Sequence, residues 1–273
     1  MDKHQITDYL KDRDIKKIKF AFADIDGVLR GKLISSDKFL DGLTNGYGFC
    51  DVVFGWDSSD AGYDNVEITG VHTGYPDKYC HIDLSTLRTI PWQNDTTFFL
   101  ADFTRPDGSS VAACPRSLLK RIVKECDEMG YHTKFAQEFE WFNFTETPQS
   151  LQEKEFTQLK TLTTGMFGYS MLRPAQHSAY YYDLFNLLGQ FGVPLEGLHT
   201  ETGPGVYEAA LQHDNILAAA DKATLFKTAV KEIAFKHNIM ATFMAKWNVG
   251  LPGCSGHIHQ SLWTKDGTEN LFY

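Results

Sequence analysis

The chain has 273 residues, 42% hydrophobic and 14% aromatic, enough for a large core and two domains. Its net charge of −9 is spread along the sequence, and no basic patch or Arg/Lys stripe points to nucleic acid. No window approaches the ~18 uninterrupted apolar residues of a membrane helix, and the charged start Met1-Asp2-Lys3-His4-Gln5 gives no sign of a signal peptide.

In chain order, residues 3–12 can form a short helix. Residues 15–24 alternate, with Ile18, Phe20 and Phe22 on one face and Lys17 and Lys19 on the other, as in a half-buried strand. Asp26-Gly27 is a turn signal, and Val28 to Ser35 returns as the second strand of a hairpin. Residues 50–56 read as a third strand, 58–75 as a Gly/Asp/Ser-rich loop and 96–103 as another strand, followed by the turn Pro106-Asp107-Gly108. Residues 1–107 therefore make a small, mostly β domain.

Beyond it, Pro115 opens a helix to about Met129, with Gly130 as its stop. A strand over 134–142 follows, then a polar surface segment over 149–162 and a helix over 175–188. Leu195 to Glu201 and Val206 to Leu211 read as strands around Gly203-Pro204-Gly205. Residues 215–237 form a long amphipathic helix, and 239–246 a strand. The order predicts an α+β protein, with a second domain over 108–273.

Three segments carry paired metal-type ligands. In the strand 134–142, Glu138 and Glu140 share one face. Two unit charges ~4 Å apart repel by roughly 4 kcal/mol at an effective dielectric of about 20, so a cation between them, or a proton on one, is expected. A polar edge strand facing water is the other reading of this pair. Glu201 and Glu208 flank the Gly-Pro-Gly turn, and a hairpin there brings both to one face. His257 and His259 occupy alternate positions of a third strand. Each pair alone is weak: a lone Glu is more often a surface residue, and a lone His a hydrogen-bonded core residue. Together, four carboxylates and a histidine suit Mg²⁺ or Mn²⁺ better than Zn²⁺, and clustered hard cations serve phosphoryl transfer. There is no Walker A loop or kinase Gly-rich loop. Cys50, Cys80, Cys114, Cys126 and Cys254 are scattered without a CxxC pair, which fits a reducing cytoplasm and argues against a disulfide framework.

These segments resemble the glutamine synthetase superfamily. Glu138-Phe139-Glu140-Trp141-Phe142 resembles its E-x-E-F-F strand, and Glu201-Thr202-Gly203-Pro204-Gly205-Val206-Tyr207-Glu208 its E-V-A-P-G-Q-x-E segment. Lys246 to Ser261 is similar to its ATP-binding signature, and Asp24 to Lys32 to the D-x-x-G-x-x-R-G-K hairpin of its N-terminal domain. The resemblance implies an N-terminal β-grasp domain and a partial glutamine synthetase-type catalytic domain with a curved antiparallel sheet and helices. It implies ATP-dependent ligation of glutamate to ammonia or an amine through a γ-glutamyl phosphate. By motif, Glu140, Glu201 and Glu208 would hold the cation nearer glutamate and the amine, and Glu138 and His257 the cation between the ATP phosphates. Gly253 would line the glutamate site, while His259, Ser261 and His213 would touch ATP. The resemblance also implies a homo-oligomeric ring with active sites between subunits.

Three departures stand out. The D-G-S-S latch, whose Asp helps bind ammonium, appears as Trp56-Asp57-Ser58-Ser59, with Asp57 one place displaced. Pro252 replaces the usual Asn, and Gly253-Cys254-Ser255 the usual G-S-G. The chain stops at Asn270-Leu271-Phe272-Tyr273, inside the catalytic domain of the family, so a C-terminally truncated member is expected. A non-catalytic structural relative with the same fold is the alternative. A metal-dependent hydrolase, suggested by His257-x-His259, is disfavoured because that pair follows the carboxylates instead of opening a barrel.

Overall fold

The structure is a computed structural model that describes residues 1–105 and 107–272. Pro106 of the expected turn and Tyr273 lie outside the described residues. The chain divides into two compact units, Met1–Glu125 and Cys126–Tyr273. Among the described residues no helix is long and apolar enough to cross a membrane.

The first unit begins with α1 (Lys3–Asp12), whose start is fixed by a capping box between Asp2 and Gln5. Then come β1 (Lys17–Ala23), β2 (Leu29–Ser35), α2 (Ser36–Asn45), β3 (Tyr47–Cys50), β4 (Asp77–Ile90) and β5 (Thr96–Thr104). Their sheet runs β2-β1-β5-β4-β3, with β1 parallel to β5 and the other pairs antiparallel. Alternate residues of β1 and β5 supply an aromatic core. Phe22 packs edge-on to Phe103 with ring centroids 4.5 Å apart, and Phe39 stacks on Phe99 at 5.2 Å.

One sequence expectation changes here, and one strand, β4, had gone unread. The expected strand over 50–56 gives way to a 3₁₀ turn over Asp51–Phe54, because buried Asp51 is held by the Thr69 hydroxyl at 2.6 Å and by Lys78 at 3.3 Å. The long β4 carries a register shift between Asp83 and Arg88, which breaks the alternation a strand ordinarily shows.

The helix α3 (Pro115–Glu128) crosses from one unit to the next. In the first unit its Arg116 guanidinium meets Asp83 at 3.0 Å and Asp102 at 2.9 Å, and Lys120 also pairs with Asp102. Burial alone would raise Asp83, but the Ser85 hydroxyl and the Arg116 and Lys120 charges outweigh it and hold the carboxyl at about 2.

The second unit is built on β6 (Tyr131–Phe144), followed by α4 (Pro148–Glu153), α5 (Leu172–Ala175), α6 (Ser178–Gln190), β7 (Leu195–Thr200), β8 (Val206–Leu211), β9 (Asp214–Asn215), α7 (Ile216–Lys236), β10 (Met240–Thr242) and β11 (Gly256–Thr264). All these strands pair antiparallel in one curled sheet. β6 is its centre: β8 and β9 lie along one side, β11 and β10 along the other. The edge-strand reading of Glu138 and Glu140 is therefore excluded.

The pleat sorts the side chains of β6. Phe139 and Trp141 turn to α7, where Phe226 lies 5.4 and 5.6 Å from their rings. Glu138 and Glu140 take the opposite face, continued by buried Phe142 and Phe144 beneath Trp247. The strand expected over 239–246 is confined to β10. The segment 149–162, read as polar surface, buries Leu151 and Leu162 and sends Lys154 and the Lys160 amide to buried Glu146.

Candidate active site

The carboxylate face of β6 is assembled by register. Glu140 stands opposite Glu208 of β8, which stands opposite His199 of β7. On the other side of β6, Glu138 stands opposite His257 of β11. The Glu138 carboxylate also lies 3.1 Å from His259 Nε2.

The turn between β7 and β8 places Glu201 beside this row. Buried Asn143 of β6 holds that turn: its backbone N–H and its side-chain amide both donate to the Gly205 carbonyl, at 2.9 and 3.0 Å. Trp141 Nε1 and the Tyr180 hydroxyl donate to Asn143 Oδ1, fixing the amide's orientation. Gly205 has φ +73°, and a Cβ there would lie 2.4 Å from the Asn143 carbonyl oxygen, so only glycine fits. Ligand atoms of His199, Glu201 and Glu208 all lie within 4.8 Å of one another.

Electrostatics link all four carboxylates. Burial pushes Glu208 above the usual carboxylate range; His199 opposes the shift, while Glu140, Glu138 and Glu201 add to it. Ser255, on the loop before β11, donates its hydroxyl to Glu140 and lies 3.1 Å from His257 Nε2, so it bridges the two. Oxygen-rich, partly buried and short of positive charge, this donor set fits a hard divalent cation. Among the described residues, His199, Glu201 and Glu208 are the group whose ligand atoms meet closely enough to hold one; Glu138, Glu140 and His257 lie along the same face.

His199 was missed in the sequence. The signal existed, since it precedes Glu201 by two residues, the spacing already read in the other two pairs.

The three residues assigned to ATP line one open groove of about 310 Å³: His213, His259 and Ser261, together with Lys134, Phe135 and Trp263. Lys134 Nζ lies 3.6 Å from the Trp263 ring centre, and Trp263 Nε1 donates to the Ser261 hydroxyl at 2.8 Å. His213 is also 3.6 Å from Glu196. Gly253 sits in the loop before Ser255, where a Cβ would come within 2.6 Å of the Ala245 carbonyl oxygen.

Asp57 belongs to the first unit. Its carboxylate closes its own turn, accepting from the Ser59 and Ala61 amides at 2.7 and 3.0 Å. Arg30 secures the same loop. Its Nε donates to buried Asp24 at 2.8 Å, while its two terminal nitrogens reach Asp60 at 2.5 Å and the Asp57 carbonyl at 3.0 Å.

Comparison with known proteins identifies the family. Residues 112–273 match the family described as "Glutamine synthetase, catalytic domain". The chain is 53% identical over 255 residues to the type-1 glutamine synthetase 2 of Dictyostelium discoideum, covering 93% of this chain and 49% of that protein. It is 35% identical over 265 residues to a glutamate–isopropylamine ligase of a Pseudomonas species, covering 97% of this chain and 58% of that protein. Its fold superposes on the cryo-EM structure of Plasmodium falciparum glutamine synthetase with a TM-score of 0.83 at 18% identity, over 100% of this chain and 56% of that one. The chain thus spans about half the length of the curated relatives it matches. Its carboxylate strand, its Gly-Pro-Gly hairpin and the family match together place this chain in the glutamine synthetase family.

Proposed function

We propose that the protein carrying this chain joins the γ-carboxyl group of glutamate to ammonia or an amine, using ATP. The convergence of four carboxylates and two histidines on one face of β6, β7, β8 and β11 carries this reading. Glutamine synthetases use glutamate, ATP, a divalent cation and ammonia or amines as a family, and two relatives bear the names glutamine synthetase and glutamate–isopropylamine ligase.

In this reading Glu140, Glu201 and Glu208 hold the cation nearer glutamate, and Glu138 and His257 hold the one nearer the ATP phosphates. Mg²⁺ or Mn²⁺ held there would supply charge neutralisation for phosphate oxygens and developing negative charge. The Gly253 backbone borders glutamate. His213, His259 and Ser261 border ATP, a role supported by their shared groove. A glutamate γ-carboxylate oxygen attacks the terminal phosphorus of ATP, and the bond to ADP breaks. The amine nitrogen then attacks the acyl carbon, the carbon–oxygen bond to phosphate breaks, and the nitrogen gives up a proton. Asp57 is assigned, on its latch motif, to binding the ammonium or alkylammonium ion, which gives up a proton before its nitrogen attacks.

The same resemblance supports a β-grasp reading of the N-terminal domain over 1–107, a catalytic domain from 108, a cytoplasmic location and a homo-oligomeric ring. The sheet order β2-β1-β5-β4-β3 favours the first of these. Light scattering that gives a monomer at working concentration would exclude the ring.

Phosphate release from ATP tests the activity. It should require glutamate together with ammonium or an amine, and a broad amine panel without release sinks the ligase. Calorimetric titration with Mn²⁺ separates a ligase from a non-catalytic relative, which would bind no cation.

A further inference from the structure

Beside the carboxylate row, β7 and the start of α6 enclose a cavity of about 340 Å³. Tyr169, Met171, Pro174, Tyr181 and Leu198 supply aromatic and aliphatic walls, and His199 also lines it. One liquid water occupies ~30 Å³, and ammonia is no larger. The cavity is thus an order of magnitude too roomy for ammonia, and it falls in the range of small-molecule sites.

The wall is tied to the carboxylates. The Tyr169 ring stacks on the His199 ring at 4.4 Å, and His199 Nε2 lies 3.7 Å from Glu208. The Tyr169 amide donates to the Thr200 carbonyl at 2.7 Å, and the Ser170 amide to the Thr200 hydroxyl at 2.9 Å, one residue before Glu201. The cavity is therefore walled mainly by apolar side chains, and through His199 it adjoins the carboxylate row. That pattern complements a molecule with an ammonium head and an apolar body. Met171 and Tyr169, 92% and 72% accessible, leave the lining open to solvent.

We propose that this cavity receives the hydrocarbon part of the acceptor, so that the acceptor is a primary amine bearing an arylalkyl or branched alkyl group. Its nitrogen lies on the His199 side, toward the carboxylate row and the glutamate it attacks, while its body lies against Tyr169, Tyr181 and Leu198. This inference rests on the ligase reading and specifies its second substrate. Aromatic walls suit both ends of such a ligand, through contact with the apolar body and cation–π attraction for the head.

The test measures phosphate release by the full-length protein, with glutamate and ATP fixed and ammonium, isopropylamine or phenethylamine as acceptor. The expected kcat/KM for phenethylamine exceeds that for ammonium by about ten-fold or more, the scale on which an apolar pocket discriminates. Ala175 lines the cavity, and Ala175→Trp, which fills it, should reduce that ratio by about ten-fold. Because a bulky variant can misfold, calorimetric titration of phenethylamine into the Mn²⁺-loaded wild-type protein provides an independent readout, with saturable binding expected. Preference for ammonium, or a ratio indifferent to Ala175→Trp in a folded variant, overturns the cavity assignment and leaves the ligase standing. No release with any acceptor overturns the ligase, and the amine assignment with it.

Discussion

Glu140 and Glu208 stand directly opposite each other across the β6–β8 ladder. Like charges in that position destabilise a sheet by roughly 0.2–1 kcal/mol. Glu208→Gln should therefore raise the metal-free melting temperature by about 1–3 °C. The same substitution should weaken the stabilisation that Mn²⁺ gives the wild-type protein. Paired thermal melts, with and without Mn²⁺, measure both. A variant less stable without metal would show that the pair does not repel.

The Asp83 cluster predicts acid sensitivity. This carboxyl is held at about 2, below its ordinary value of 3.8. A depressed carboxyl contributes stability that is fully present above its unfolded pKa and is lost as pH falls through its folded one. The contribution is ~2 kcal/mol and should vanish between about pH 4 and pH 2. Urea midpoints recorded across that window should fall for the wild type and stay flatter for Asp83→Asn.

Arg30 holds the Asp57 loop from below. Arg30→Ala leaves Asp24 buried with its charge unpaired, a loss of about 3–5 kcal/mol. Arg30→Lys keeps the charge but cannot reach Asp24, Asp60 and the Asp57 carbonyl together, so it should restore only part of that. Hydrogen exchange of the Ser59 and Ala61 amides should quicken in both variants. Unchanged exchange would mean that the Asp57 turn stands without Arg30.

Gly205→Ala combines a left-handed backbone with a collision against Asn143. Strain of about 1–3 kcal/mol is expected, relieved by moving the turn that spaces Glu201 from Glu208. Mn²⁺ affinity, measured by calorimetry, should drop more than the melting temperature predicts. Wild-type affinity in a folded variant would show that the turn does not set the spacing.

The legible parts of the fold were those where one physical period dominates. The strands carrying Glu138, Glu140 and His257 were legible from their paired polar residues at alternate positions, and α7 from its apolar stripe over Leu225, Phe226, Ala229, Val230 and Ile233. α2 was missed because Gly42 reads as a helix breaker. It is there because the Tyr47 ring lies where a Cβ would be, 2.1 Å away. β4 was hidden by its register shift, and the 3₁₀ turn at Asp51 by partners far along the chain. His199 carried a local signal, its spacing of two from Glu201, but its register opposite Glu208 comes from strand pairing that no local pattern reports.

The pairing of β6 with β11 also orders events in time. Ser255 and Glu140 lie 115 residues apart, and that stretch must be traversed before they meet. Closing so long a loop makes the pairing slow compared with helix formation. During synthesis β8 can pair with β6 first, but Glu138 lacks its His257 neighbour and Glu140 its Ser255 partner until the β11 segment has emerged. In refolding, helical signal should return well before the capacity to bind a cation, so the site is a late product of the chain's own assembly.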